Sequence, residues 1–149
     1  MVCTFFGRRN APSSVKEKLS KAINDLIKRG YDEFYVGNNG NFDFYVQSVL
    51  SDIIKTNCKV SFTVVLSRPD EKAILAEQIF TLFPDGLEKV PHRFAISKRN
   101  DWLIKKAQVV VAYADNRFTN SHKWIEKAKN KGIDVINLAN QETRRIDFD

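Results

Sequence analysis

The chain has 149 residues, 43% of them hydrophobic and 28% charged, with a formal net charge of +6. That is the profile of one globular domain long enough to bury a core, not of a low-complexity or disulfide-stapled chain. Two cysteines (Cys3, Cys58) and two histidines (His92, His122) form no C-x-x-C pair, which excludes a zinc ribbon or a zinc hydrolase and makes a reduced, cytoplasmic setting the expectation.

The apolar start, Met1 to Gly7, is too short for a signal peptide. No run approaches the ~20 apolar residues of a membrane span, so no membrane partner is expected. Residues 2–6 read as a short buried strand ending at Gly7. Ser14 and Glu17 form a capping-box pattern ahead of Leu19, Ala22, Ile23, Leu26 and Ile27, a helical stripe that Gly30 closes. Residues 32–36 read as a second strand running into Gly37, and Val46, Val49, Leu50, Ile53 and Ile54 mark a second helix. Residues 59–66 are β-branched and aromatic, a third strand with Cys58 at its start, so both cysteines are expected in buried strand surroundings.

Residues 71–80 look helical, Pro84-Asp85-Gly86 is a turn, and 87–97 carry no clear pattern. Residues 98–107 fit a short helix with Trp102, Leu103 and Ile104. Val109 to Ala114 is a fourth strand, 119–131 a helix closed by Gly132, Ile133 to Leu138 a fifth strand, and 139–149 a polar tail. Strands alternating with helices predict an α/β, Rossmann-like three-layer domain over 1–149, with a mostly parallel sheet of about five strands. In such sheets ligands bind beyond the carboxyl ends of the strands, so the residues just after each strand carry the functional information.

After the first strand stands Gly7-Arg8-Arg9, where glycine permits a close approach and the two guanidinium forks suit phosphate or carboxylate. After the second comes Gly37-Asn38-Asn39-Gly40-Asn41-Phe42-Asp43. This segment places backbone N–H groups at a helix start, where anions are stabilised, with Asp43 in or near the first turn. Near the fourth strand lie Arg99 and Asn100. Arg99 is either a phosphate ligand, a partner of Glu126, or the exposed neighbour of a core Trp102. Tyr113, Thr119 and Asn120 follow on the far side of that strand. The lysines at 105, 106, 127, 129 and 131 read as solvated helix faces, and there is neither a basic arm nor a block of interleaved aromatics.

Gly7-Arg8-Arg9, Gly37 to Asp43, Arg99-Asn100-x-Trp102 and Lys131-Gly132-Ile-Asp-Val-Ile-Asn137-Leu138, in that order and spacing over about residues 2–138, resemble the SLOG superfamily. That group unites DprA-like, LOG-like and YpsA-type proteins, and the small YpsA-type members are the most similar. The resemblance implies a Rossmann-like fold with a nucleotide or nucleotide-derived ligand at the loop tips. LOG-type members hydrolyse the N-glycosidic bond of nucleoside monophosphates. In that reading Arg99 would hold phosphate and Glu126 would be the catalytic carboxylate. The chain departs from the LOG pattern where Thr119-Asn120 stands in place of Gly-Gly and Trp124 in place of a small hydroxyl residue. It also has Arg8 where many YpsA-type members have His.

The reading favoured by these residues is a binding module that senses or sequesters the ligand. Arg8, Arg9, Gly40 and Arg99 would meet phosphates, and Asn38, Asn39 and Tyr113 the sugar or base. A LOG-like N-glycosidase and a protein- or single-stranded nucleic-acid-binding module are the alternatives. No cofactor is expected, since the loop after the first strand lacks G-x-G-x-x-G and the chain lacks a Walker lysine motif. Related folds often form homo-oligomers, and nothing in the sequence marks an interface.

Overall fold

A computed structural model describes residues 1–70, 80–116 and 119–139. Six strands form one sheet: β1 (Val2–Gly7), β2 (Glu33–Val36), β3 (Ser61–Val65), β4 (Thr81–Leu82), β5 (Val109–Tyr113) and β6 (Asp134–Asn137). Four helices connect them: α1 (Val15–Lys28), α2 (Gly40–Ile54), α3 (Ala95–Lys106) and α4 (Asn120–Asn130). The strand order is β4-β3-β2-β1-β5-β6, and every pairing is parallel.

Alternation along the strands sorts the side chains into two apolar layers. Cys3, Phe5, Phe34, Val64, Val109 and Val111 pack with Leu19, Ile23, Leu26, Phe42, Val46 and Leu50 of α1 and α2. Phe6, Val110 and Ala112 face the other way and pack with Leu103 and Ile104 of α3 and Trp124, Ile125 and Ala128 of α4. Helices thus cover both faces, as a parallel sheet requires, and the architecture is the three-layer α/β, Rossmann-like one.

The helix ends show why the chain turns where it does. At the end of α1 the Gly30 N–H donates to the Ile27 carbonyl and the Tyr31 N–H to the Leu26 carbonyl; Gly132 and Ile133 repeat this on Lys129 and Ala128 after α4. Both are Schellman closures. The capping box expected at Ser14 is not formed. Ser14 has helical backbone angles and its side chain makes no capping bond; a turn led by Pro12 and Ser13, whose carbonyls accept from Val15 and Lys16, starts α1 instead.

Other expectations shift. The sheet has a sixth, two-residue strand, β4, which extends the edge beyond β3. Residues 87–97 resolve into two 3-10 turns, Leu87–Lys89 and His92–Phe94, followed by the first residues of α3, which starts at Ala95 rather than 98. The helix expected over 71–80 falls on residues outside the described ones except Phe80, which directly precedes β4. Most of the polar tail, 140–149, also lies outside them. Cys3 is buried, which pushes its thiol pKa far up, whereas Cys58 is exposed rather than buried. Among the described residues no helix is long and apolar enough to cross a membrane.

The chain runs outward from β1 through β2 and β3 to β4, then returns to place β5 on the other side of β1. The point where strand order reverses therefore lies between the carboxyl ends of β1 and β5, at Gly7 and Tyr113, which pair in register.

Candidate functional site

A cleft of about 460 Å³ opens at this switch point. Its walls are the turn after β1 (Gly7, Arg8, Arg9), the turn after β2 (Gly37, Asn39, Asp43), the start of α3 (Ser97, Arg99, Asn100) and the start of α4 (Thr119, Asn120, Ser121, Lys123, Trp124). The size falls within the usual range for small-molecule sites, and the location is where parallel sheets place their ligands.

Close packing of main chain fixes the two glycine turns. A Cβ on Gly7 would fall 2.1 Å from the Phe42 ring, which is fully buried at the start of α2. Gly40 has φ +89°, and a Cβ there would lie 2.7 Å from Arg9 Cα. The Asn41 N–H donates to the Arg9 carbonyl at 2.7 Å, so the turns after β1 and β2 are stitched together. Only glycine allows this approach.

Arg99 is 3% exposed, the reverse of the exposed-neighbour reading, while Trp102 is only half-buried and packs at a tilt against Tyr35 with centroids 5.5 Å apart. Arg99 Nη1 donates to the Val65 carbonyl at the end of β3 (3.0 Å), Nη2 to Asn39 Oδ1 (3.0 Å) and Nε to Asn100 Oδ1 (2.9 Å). Its guanidinium ties β3, the turn after β2 and α3 into one floor. It makes no pair with Glu126.

Asp43, 7% exposed, sits beside it. Its Oδ2 accepts the Asn39 N–H at 2.9 Å. Gly37 passes so close that a Cβ there would lie 2.8 Å from that oxygen and 3.0 Å from Arg99 Nη1. Burial pushes the Asp43 carboxyl up to about 6, against the pull of Arg99, the Asn39 N–H and Arg9 in the other direction. The backbone N–H groups expected to await an anion at the start of α2 are therefore partly used: that of Asn39 holds Asp43 and that of Asn41 holds Arg9.

Arg8 lines the cleft and is tied across the switch point, its Nη1 donating to both oxygens of Asp115 at 2.7 and 2.6 Å. Arg9 is exposed at the mouth and makes no side-chain hydrogen bond among the described residues. Thr119 caps α4, its Oγ1 accepting the His122 N–H. Trp124 does not stand over the helix start as a plug. It is buried, stacked on Phe6 at 6.0 Å and flanked by Lys123 and Lys127, so it forms a wall.

The cleft thus gathers Gly7, Arg8, Arg9, Gly37, Asn39, Asp43, Arg99, Asn100, Thr119 and Asn120 from the sequence-derived set. Others stand behind it. Asn38 turns inward, its Oδ1 accepting from Gln47 Nε2 at 3.2 Å; Gly40 packs on Arg9; and Tyr113 is buried in the core layer of α1 and α2. Glu126 is half-exposed on α4, 3.6 Å from His122, and is not among the residues lining the cleft. Sequence reasoning missed Ser97, Ser121 and Lys123 as lining residues. The signal for the last two was their place in the first turn of a helix after a strand end. Among the described residues no group of three or more His, Cys, Asp or Glu side chains is placed to hold a metal ion.

The chain matches no family model, and no curated protein matches it.

Proposed function

We propose that the switch-point cleft binds a nucleotide or nucleotide-derived anion, which the protein senses or sequesters. The observation that carries this reading is the composition of the cleft. Arg8, Arg9, Arg99 and Lys123 line a cavity of about 460 Å³ against one carboxylate, Asp43, at the place where parallel α/β sheets hold ligands. The start of α4 adds Asn120 and Ser121 to the same wall, at the positive end of the helix dipole. The resemblance of the loop sequences to the SLOG superfamily agrees with a ligand of this class.

The LOG-like alternative draws no support from the geometry, because Glu126 stands outside the cleft wall. A thermal-shift screen with nucleoside mono- and diphosphates, cyclic nucleotides and ADP-ribose-type compounds tests the proposal, with the ligand recovered by chromatography afterwards. Binding at 100 times Kd adds about 2.7 kcal/mol of stability. The expected result is a shift with intact ligand, and a tenfold or larger loss of affinity in the Arg9→Ala, Lys123→Ala double variant. Unchanged affinity in that variant would remove the phosphate role of this wall, and released base would restore the hydrolase reading.

A further inference from the structure

One side chain of the cleft wall is only half used. Asp43 Oδ2 accepts the Asn39 N–H, while Oδ1 makes no hydrogen bond among the described residues. Among the described residues the fully enclosed side-chain polar atom without a partner is a different one, Gln47 Oε1. Asp43 Oδ1 is therefore not sealed, and Asp43 lines the cleft. A carboxylate that is 7% exposed and keeps an acceptor unpaired is costly to hold, because a buried acceptor left unmade loses the hydration it had in the unfolded chain. A ligand donor at that oxygen removes the cost.

The same carboxylate decides which end of a ligand belongs there. An ionised Asp accepts and does not donate, and it repels a phosphate. The amides of Asn39 and Asn41 are already engaged by Asp43 and by the Arg9 carbonyl and do not cradle an anion. Ser121 and Lys123 stand on another part of the wall, in the first turn of α4. The cleft thus has an acceptor part and an anion part.

Building on the proposed nucleotide site, we infer that Asp43 is its hydroxyl-recognising residue: Oδ1 accepts a hydrogen bond from a sugar hydroxyl of the ligand, whose anionic group lies toward Ser121 and Lys123 at the start of α4. The cleft therefore selects ribose over deoxyribose. The charged groups that face Asp43 are Arg99 from α3 and Arg9 from the turn after β1, so the carboxyl whose ionisation the selection follows is that of Asp43 itself. A charge-assisted bond is roughly twice as strong as a neutral one, so selection weakens as Asp43 takes up a proton.

The test is titration calorimetry of the whole chain with the four ribonucleoside 5′-diphosphates, each beside its 2′-deoxy and 3′-deoxy counterpart, for wild type and Asp43→Asn. The deoxy comparison on wild type needs no variant to fold. At pH 7.5 the ribonucleotide that binds should do so about tenfold or more tightly than at least one of its deoxy counterparts, as expected for a hydrogen bond to a charged group. In Asp43→Asn the ratio should fall below about threefold. In wild type the ratio should shrink between pH 7.5 and 5, and being a ratio it cancels the titration of the phosphates themselves. Equal affinity of ribo and deoxy forms, or a ratio unchanged in Asp43→Asn, overturns this inference and leaves the nucleotide reading standing. Loss of affinity on removing a base amino group, with no effect of the hydroxyls, also overturns it. No binding by any compound overturns both.

Discussion

The carboxyl edge of the sheet is finished in two different ways on the two sides of β1. On the β5–β6 side, Asn137 closes the edge: its Oδ1 accepts the N–H groups of Ala114 (3.2 Å) and Ala139 (3.1 Å), and its Nδ2 donates to the Ala114 carbonyl (3.1 Å). On the β2–β3 side, Arg99 and Asp43 hold the turn together, yet Asp43 keeps one oxygen unpaired and its carboxyl is pushed up by burial. Both sides use a side-chain amide or charge to tie strand ends to their neighbours. Only the cleft side carries a group that the fold alone would be better without. Buried polar atoms are normally satisfied, so a half-satisfied carboxylate on a cavity wall costs the fold stability that a donor on the proposed ligand would restore.

The largest way to break this comparison is Arg99→Ala. It removes the bonds to the Val65 carbonyl, Asn39 and Asn100 and leaves Asp43 without its strongest positive neighbour. Urea unfolding should show a loss of about 3 kcal/mol. A loss below 1 kcal/mol would mean that the floor is held by packing alone.

Asp43→Asn should act in the opposite direction. The folded state raises the Asp43 carboxyl from 3.8 to about 6, so it favours the protonated form. The stability this group contributes is present in full below about pH 4 and is lost as pH rises through about 6. The variant should accordingly be more stable than wild type at pH 7.5 by about 2 kcal/mol, with the advantage shrinking toward pH 4. Denaturation curves at the two pH values check it; a variant less stable at pH 7.5 would show that Asp43 serves the fold rather than a ligand.

Asn137→Ala sharpens the other side. It should cost about 1.5 kcal/mol, by the same amount at pH 5 and pH 8, and leave nucleotide affinity unchanged. Smallest of all, Glu126→Gln should change stability by no more than about 0.5 kcal/mol and leave affinity intact, since the side chain is half-exposed and its partner is a surface histidine. A large loss of ligand turnover in that variant would return the catalytic role to Glu126.

The sequence made the alternation of strands and helices legible because each element carries its own period and each main turn its own glycine. β4 was not legible: two residues, Thr81 and Leu82, acquire strand character only by pairing with Val64 and Val65. The start of α3 was missed for a similar reason, since Phe94 and Ala95 bring no capping side chain to announce it. Of the site, Gly7 at the end of β1, Gly37 just after β2 and Asp43 in the first turn of α2 could be read from their place around the βα turns. The burial of Arg99 could not, because the carbonyl that receives it belongs to Val65, 34 residues earlier. Asn38 and Tyr113 do not line the cleft and pack into the scaffold, because sequence position fixes a loop but not the direction of its side chains. Lys123 carried no signal of its own among the basic residues of α4; its place on the cleft wall follows from the packing of that helix against the sheet.

The most direct test of the cleft as the ligand site is a backbone amide chemical-shift map of the full chain, recorded while a ribonucleotide selected by the thermal-shift screen is added. The shifts should concentrate at Gly7, Arg9, Gly37, Asn39, Asn100 and Ser121, with Ala114 and Ala139 beside Asn137 nearly silent. Shifts confined to the β4 edge or spread over the lysine faces of α3 and α4 would contradict the account.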